Sequence, residues 1–151
     1  LTEPQRESAF IQIIDQAISY SIGRAEVAEI DQINILQASL LAMTRAIENL
    51  SIPPEFVLID GNKLPKGLSI PAASVIQGDR LEHCISAASV IAKVTRDREM
   101  LELSKLYPNY GFAKNKGYGT KEHMTALKNY GATIIHRKSF APVRDVIAAI
   151  E

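Results

Sequence analysis

Apolar positions change period several times along the chain, and each change marks an element. Ala9, Phe10, Ile13, Ile14 and Ala17 recur at helical spacing. Thr2 and Gln5 precede them as a capping box, with Pro4 in the first turn, where a missing N–H costs little. Ile18, Tyr20 and Ile22 then alternate with polar or small residues, which predicts a strand through about Val27. Asp31 has the side chain of an N-cap for the next helix. In that helix Ile33, Leu36, Leu40, Met43, Ile47 and Leu50 form a stripe at alternating three and four spacing, expected to face the core, and Pro53-Pro54 stops it.

The second half follows the same logic. Phe56-Val57-Leu58-Ile59 is a short continuous apolar run ending in Asp60-Gly61-Asn62, the pattern of a buried strand feeding a turn. Residues 69–77 predict another strand, with Gly78-Asp79 at its end. A long helix is expected from about Arg80 to Leu106, closed by Tyr107-Pro108. Residues 109–119 are rich in Gly, Lys and aromatics and are expected to form a loop. Thr120 caps a helix running to Tyr130, with Gly131 as its stop; residues 133–135 are a brief strand or extended segment, and Pro142 opens a terminal helix. There is no internal repeat, low-complexity tract or linker. Helices alternating with strands predict a single α/β domain over residues 1–151.

Composition narrows the class. A chain of 151 residues with 46% hydrophobic and 23% charged residues fits one globular domain, and no apolar run is long enough to cross a bilayer. The single cysteine, Cys84, excludes an internal disulfide framework, suits a cytoplasmic location and is expected to be a buried, inert thiol among Ile85, Ala87 and Ala88. A net charge of zero conceals an asymmetry: residues 1–92 carry 6 Lys+Arg against 11 Asp+Glu, whereas residues 93–138 carry 10 against 4. A basic segment of this kind binds phosphates or is simply a solvated mixed surface.

Three groups of residues carry candidate chemistry. Asp60 and Asp79 each end an apolar run at an expected strand terminus, where ligands of α/β sheets gather. Brought together, two carboxylates repel unless a divalent cation joins them, and oxygen-only ligation points to Mg²⁺ or Mn²⁺; equally, both are residues that cap turns. On the long helix Ser86, Ser89, Lys93 and Arg96 share one face, suited to phosphate oxygens or merely to solvent, with Leu81, Ile85, Ala88, Ala92 and Leu101 on or near the opposite side. Asp97 reads as a partner for Arg96 or Lys93, or as a local cap. In the loop, Lys114 and Lys116 lie between Phe112 and Tyr118; Phe112 is expected in the core and Tyr118 outside, available to stack on a sugar or base. His83, His123 and His136 lack metal-ligand spacing and are expected to be surface or structural residues.

Several of these segments, taken in order, resemble bacterial ribonuclease HII. They are residues 29–38, 58–62 (Leu-Ile-Asp-Gly-Asn), 77–79 (Gln-Gly-Asp), 86–98 (Ser-Ala-Ala-Ser-Val-Ile-Ala-Lys-Val-Thr-Arg-Asp-Arg), 107–108, 116–123 (Lys-Gly-Tyr-Gly-Thr-Lys-Glu-His) and 136–140 (His-Arg-Lys-Ser-Phe). The resemblance implies a ribonuclease H-like fold, a mixed central sheet flanked by helices. It also implies a monomeric endonuclease that uses Mn²⁺ or Mg²⁺ to hydrolyse RNA in RNA/DNA hybrids and ribonucleotides embedded in duplex DNA. Asp60 and Asp79 match two of the family's four acidic residues, Tyr118 matches a tyrosine that stacks at the RNA–DNA junction, and Ser89, Lys93 and Lys116 match polar positions that contact the hybrid. The family's other two carboxylates lie in an Asp-Glu-Ala-Gly-Arg-Gly motif on the first, central strand, and no such motif occurs in these 151 residues. The expectation is therefore a partial domain without its N-terminal central strands, inactive alone. The alternatives are a non-catalytic hybrid-binding module and a decayed reading frame.

Overall fold

The computed structural model describes residues 1–151, which form two compact units: Leu1–Ala25 with Leu36–Val94, and Glu26–Ile35 with Thr95–Glu151. No helix is long and apolar enough to cross a membrane.

The first unit opens with α1 (Glu3–Gln16), held by the expected capping box: the Thr2 N–H donates to the Gln5 side chain at 2.8 Å, and the Thr2 hydroxyl accepts from the Gln5 N–H. The strand expected from Ile18 to Val27 does not form. Its neighbour is a helix, α3 (Ile35–Glu48), which offers no ladder of N–H and C=O groups. Ser21 donates instead to the Ala46 carbonyl, and the Arg45 guanidinium to the Arg24 carbonyl at 2.7 Å. Gly23 lies so close that a Cβ there would fall 1.8 Å from the Ala42 carbonyl oxygen. The helix expected to carry the stripe from Ile33 to Leu50 is broken at Asn34 (φ 72°). Of the stripe residues in α3, Leu36 is exposed and Leu40, Met43 and Ile47 are half-buried, while the one buried residue of the helix, Ala38, lies off the stripe.

Of the mixed sheet implied by the resemblance, the chain supplies one parallel pair, β1 (Val57–Asp60) and β2 (Ala72–Val75), in the register Val57↔Ala72 through Asp60↔Val75. Val57 and Ile59 are buried, as the apolar run predicts. The Gly61 N–H extends the ladder to the Val75 carbonyl at 2.9 Å. The expected single helix from Arg80 is two: α4 (Gly78–Leu81) and α5 (His83–Leu106), separated by Glu82 in an extended conformation (φ −119°, ψ 121°). In the α5 residues of this unit, Ile85, Val90, Ile91 and Val94 are buried. Leu81, Ala88 and Ala92, expected on the apolar side, are exposed, and so is Cys84. Of the residues expected on that side Ile85 is buried; small residues lie on more than one face of this helix, so periodicity alone does not single out the buried one.

The second unit contains α2 (Val27–Ile33), the C-terminal part of α5, a 3₁₀ turn (Pro108–Tyr110), α6 (Phe112–Asn115), α7 (Lys121–Tyr130) and α8 (Ala141–Ala148). Asp31 is not an N-cap: it lies inside α2, where Glu26 and Glu29 form the capping box. Its carboxylate accepts from the backbone N–H groups of Lys138 (3.0 Å) and Ser139 (2.8 Å). Leu101, also expected on the apolar side of α5, is exposed. Met100, Tyr110, Phe112, Ala126, Leu127 and Val143 make the core, with Leu103, Met124 and Val146 packed around them. Thr120 caps α7 by accepting from the His123 N–H (3.2 Å), Gly131 (φ 80°) ends it, and Pro142 lies in the first turn of α8. Residues 133–135 form a turn rather than a strand, closed by the His136 N–H on the Thr133 carbonyl at 3.1 Å.

Candidate active site

Parallel strands bring their carboxyl ends to the same edge, which is where side chains of different segments can meet around a ligand. Asp60 is the last residue of β1 and is exposed; Val75, its partner in register, is the last residue of β2. Past β2 the chain must reverse sharply. Gln77 adopts a left-handed conformation (φ 57°), and the Gly78 N–H that follows donates to Asp60 Oδ1 at 2.8 Å. A side chain at residue 78 would crowd its neighbours: a Cβ would lie 2.5 Å from Ile85 Cδ1, 3.3 Å from Val75 Cβ and 3.5 Å from Asp60 Oδ1. Asp79, the next residue, is exposed in the first turn of α4. Asp60 is thus bonded to the glycine that precedes Asp79 in the chain.

The chemistry of this donor set fits a hard divalent cation. Both groups are exposed carboxylates, and Mg²⁺ is commonly held by one or two carboxylates with water and substrate phosphate oxygens completing its sphere. No third His, Cys, Asp or Glu joins them in a cluster. Along α5, Ser89 is exposed but its hydroxyl donates to the Ser86 carbonyl at 2.7 Å, so it meets a phosphate as a donor only after rotating out of that bond. Lys93 is half-buried, one turn further along.

In the second unit the loop after Tyr110 is held by buried side chains. Phe112 is in the core, as expected, with 1% of its surface exposed. Asn115, also buried, donates through Nδ2 to the Tyr110 carbonyl (2.7 Å) and accepts through Oδ1 from the Gly117 N–H (2.9 Å). Lys116 adopts a left-handed conformation (φ 53°) between them and is half-buried. Tyr118 follows with its ring exposed (64%), while its backbone is fixed: its N–H donates to the Asn115 carbonyl (2.9 Å), and its carbonyl accepts from the Thr120 N–H (2.8 Å). Lys114 is 3.8 Å from Glu122, a solvent-exposed pair that contributes little to stability.

Of the histidines, His83 is exposed, whereas His123 and His136 are buried and face each other with Nε2 atoms 3.1 Å apart. Burial first, and then the neighbouring His123, push the His136 pKa down from 6.5 to about 4. Asp31 shifts in the other sense from what its burial dictates: burial raises its pKa, but the bonds from Ser139 and Lys138 and the Lys138 charge together hold it below the ordinary carboxylate value. Linear spacing carried no sign of Gly78 as the holder of Asp60, nor of Asn115, His123 and His136 beneath the Tyr118 loop. The one local clue was a Gly-Asp pair directly after an expected strand.

The chain as a whole is similar to known proteins. The family model described as Ribonuclease HII matches residues 1–143. A Ribonuclease HII of Desulfitobacterium hafniense (strain DSM 10664 / DCB-2) is 59% identical over 144 residues, covering 95% of this chain and 55% of that protein. One from Marinomonas sp. (strain MWYL1) is 50% identical over 147 residues, covering 97% and 74%. The chain thus spans about half the length of the Desulfitobacterium relatives it matches. Among solved structures, the crystal structure of the ribonuclease H2 from Pyrococcus horikoshii OT3 superposes with a TM-score of 0.78 at 27% identity, over 99% of this chain and 78% of that one, which makes the α/β fold ribonuclease H-like. The chain belongs to the ribonuclease HII family.

Proposed function

We propose that this chain carries part of the active site of an endoribonuclease that hydrolyses the RNA strand of RNA/DNA hybrids and ribonucleotides embedded in duplex DNA. The observation that carries the reading is the Gly78 N–H bond to Asp60 Oδ1 (2.8 Å), which draws the ends of β1 and β2 together with Asp79 next in the chain. Asp60 and Asp79 would hold the divalent cation, Mn²⁺ or Mg²⁺. Bound there, the cation supplies a Lewis acid for the scissile phosphate and lowers the pKa of an attacking water. The Gly78 N–H fixes the orientation of the Asp60 carboxylate. Lys93 and Lys116 neutralise backbone phosphates, with Ser89 as a further polar contact, and the exposed ring of Tyr118 stacks on a sugar or base at the junction. Discrimination between RNA and DNA falls to the ribose 2′-hydroxyl, and cleavage on its 5′ side leaves a 3′-hydroxyl and a 5′-phosphate.

The test compares Asp60→Asn with the unmodified residue in the full-length enzyme, which brings the rest of the active site. The substitution keeps the shape and the hydrogen bond from Gly78 but removes the charge. Calorimetric Mn²⁺ binding should be lost together with cleavage of a labelled hybrid, while hybrid affinity measured by fluorescence anisotropy stays unchanged. Undiminished turnover of Asp60→Asn in saturating Mn²⁺ would sink the ligand role. For the chain alone, expected to be inactive, salt-dependent hybrid binding separates the binding-module reading from a decayed reading frame.

A further inference from the structure

Buried polar groups in the second unit form a hydrogen-bond chain whose direction can be worked out from its ends. At one end the Tyr118 carbonyl lies 2.9 Å from His123 Nδ1. A carbonyl can only accept, so His123 carries a proton on Nδ1. At the other end the Thr133 backbone N–H donates to His136 Nδ1 at 3.0 Å. A backbone amide can only donate, so His136 is bare at Nδ1 and, when neutral, carries its proton on Nε2. The 3.1 Å contact between the two Nε2 atoms is then satisfied in one way: His136 donates and His123 accepts. The Thr133 hydroxyl, 2.9 Å from the same bare Nδ1, can donate there as well, and no proton need move for the chain to be complete.

We propose that the His123–His136 pair is a positioning device for Tyr118, a directed relay from the Thr133 amide through both imidazoles to the Tyr118 carbonyl that fixes the backbone from which the exposed ring projects. The surroundings favour a fixed relay over a proton shuttle. Tyr110 packs against both rings, with centroids 6.4 Å from His123 and 5.1 Å from His136, and Phe112 lies edge-on to His123 at 5.3 Å. The Tyr110 hydroxyl is itself committed to the Gly131 carbonyl at 2.8 Å. Tyr118 has its carbonyl held twice, by His123 and by the Thr120 N–H, so the rotation about its backbone is restricted while its side chain stays in solvent. An aromatic ring that must stack on a nucleotide binds more tightly when its position is set in advance, because less ordering remains to be done on binding. The inference rests on the reading of Tyr118 as a stacking residue.

Two conservative substitutions separate positioning from mere packing. An Asn side chain puts its amide near the place of imidazole Nδ1, so His123→Asn keeps a donor for the Tyr118 carbonyl. A Gln amide reaches the place of Nε2, so His123→Gln keeps the contact with His136 and drops Tyr118. Both variants lose the ring, so a purely structural residue would respond to them alike. Tyr118→Ala is expected to weaken binding of a fluorescent RNA/DNA hybrid by about tenfold. His123→Gln should approach that loss, and His123→Asn should stay within about twofold of the unmodified chain. Equal losses in the two His123 variants, or no loss in either while Tyr118→Ala binds weakly, would overturn the proposal. If Tyr118→Ala itself binds normally, the stacking role fails, and hydrogen exchange of the Thr120 amide then reports positioning alone: faster in His123→Gln than in His123→Asn supports it, and equal rates overturn it. Should either variant not fold, long-range ¹H–¹⁵N correlation spectra of the unmodified protein decide, since a His123 protonated on Nε2 rather than Nδ1 cannot hold the Tyr118 carbonyl.

Discussion

The two compact units place their large apolar residues differently. Of the largest fully buried side chains, Phe112, Met100, Leu127 and Val143 belong to the second unit and Val94 alone to the first. In the first unit α1 buries no residue completely and α3 only Ala38, while Ile18, Ile22, Leu36, Ile76 and Leu81 are exposed. The proposed functional groups are supported in correspondingly different ways. Tyr118 projects from a loop tied to an aromatic interior by Asn115 and His123. Asp60 depends on a backbone contact, one N–H from a glycine closely packed against Ile85 and Val75. A dense interior tolerates little loss of volume, whereas a site made by close backbone approach tolerates little gain.

The sharpest way to break this contrast is to delete a large side chain in each unit. Phe112→Ala removes a ring that is 1% exposed and is stacked on Tyr110 with centroids 5.5 Å apart. It should cost about 3–5 kcal/mol in denaturant unfolding. Ile18→Ala in the first unit, at a residue 85% exposed, should change stability by no more than about 0.5 kcal/mol. Comparable losses at the two positions would show that Ile18 is covered in solution.

Adding volume should reverse the ranking. In Gly78→Ala the new methyl meets Ile85 Cδ1, the mobile end of a side chain, and Val75 Cβ, which is fixed to the strand. Ile85 can rotate away; Val75 cannot without disturbing the pair Asp60↔Val75. The expected cost is about 1–2 kcal/mol, with a larger fall in Mn²⁺ affinity than stability alone explains, since the Gly78 N–H no longer sits under Asp60 Oδ1. Unchanged metal binding in a destabilised variant would separate the glycine from the site.

What the sequence discloses, and what it does not, follows from how local each cause is. Thr2 with Gln5, Thr120, Gly131 and Pro142 act within a turn of their own helix, so those boundaries were legible. Asp60 closes β1, as the apolar run before it predicts, whereas Asp79 lies beyond β2 in the first turn of α4. The failed strand at 18–27 had the right alternation, but alternation says nothing about whether a neighbouring strand edge exists, and here the neighbour is α3. Cys84 was expected inside on the general burial of free cysteines, yet it sits at the exposed start of α5. Asp31 meets residues 138 and 139, and His123 meets His136, through tertiary contacts that no local pattern encodes.

Acid titration probes the second unit's interior with the smallest perturbation, a single proton. In the unfolded chain His136 takes up a proton near pH 6.5, but in the folded chain only near pH 4, because burial and then His123 disfavour its charged form. The titratable groups known to face it are His123 and Tyr110. Between those two pH values the unfolded state therefore binds more protons than the folded one. Stability from keeping His136 neutral is complete above pH 6.5 and drains away as pH falls toward 4. Between pH 6.5 and 5, above the range where ordinary carboxylates titrate, the loss should reach about 1–2 kcal/mol in denaturant unfolding. His136→Asn, whose amide oxygen can still accept from the Thr133 N–H but cannot titrate, should start less stable and show a flatter dependence over the same interval. A slope that survives the substitution would mean that the proton goes elsewhere, and that the imidazole at 136 is already charged, or already solvated, at neutral pH.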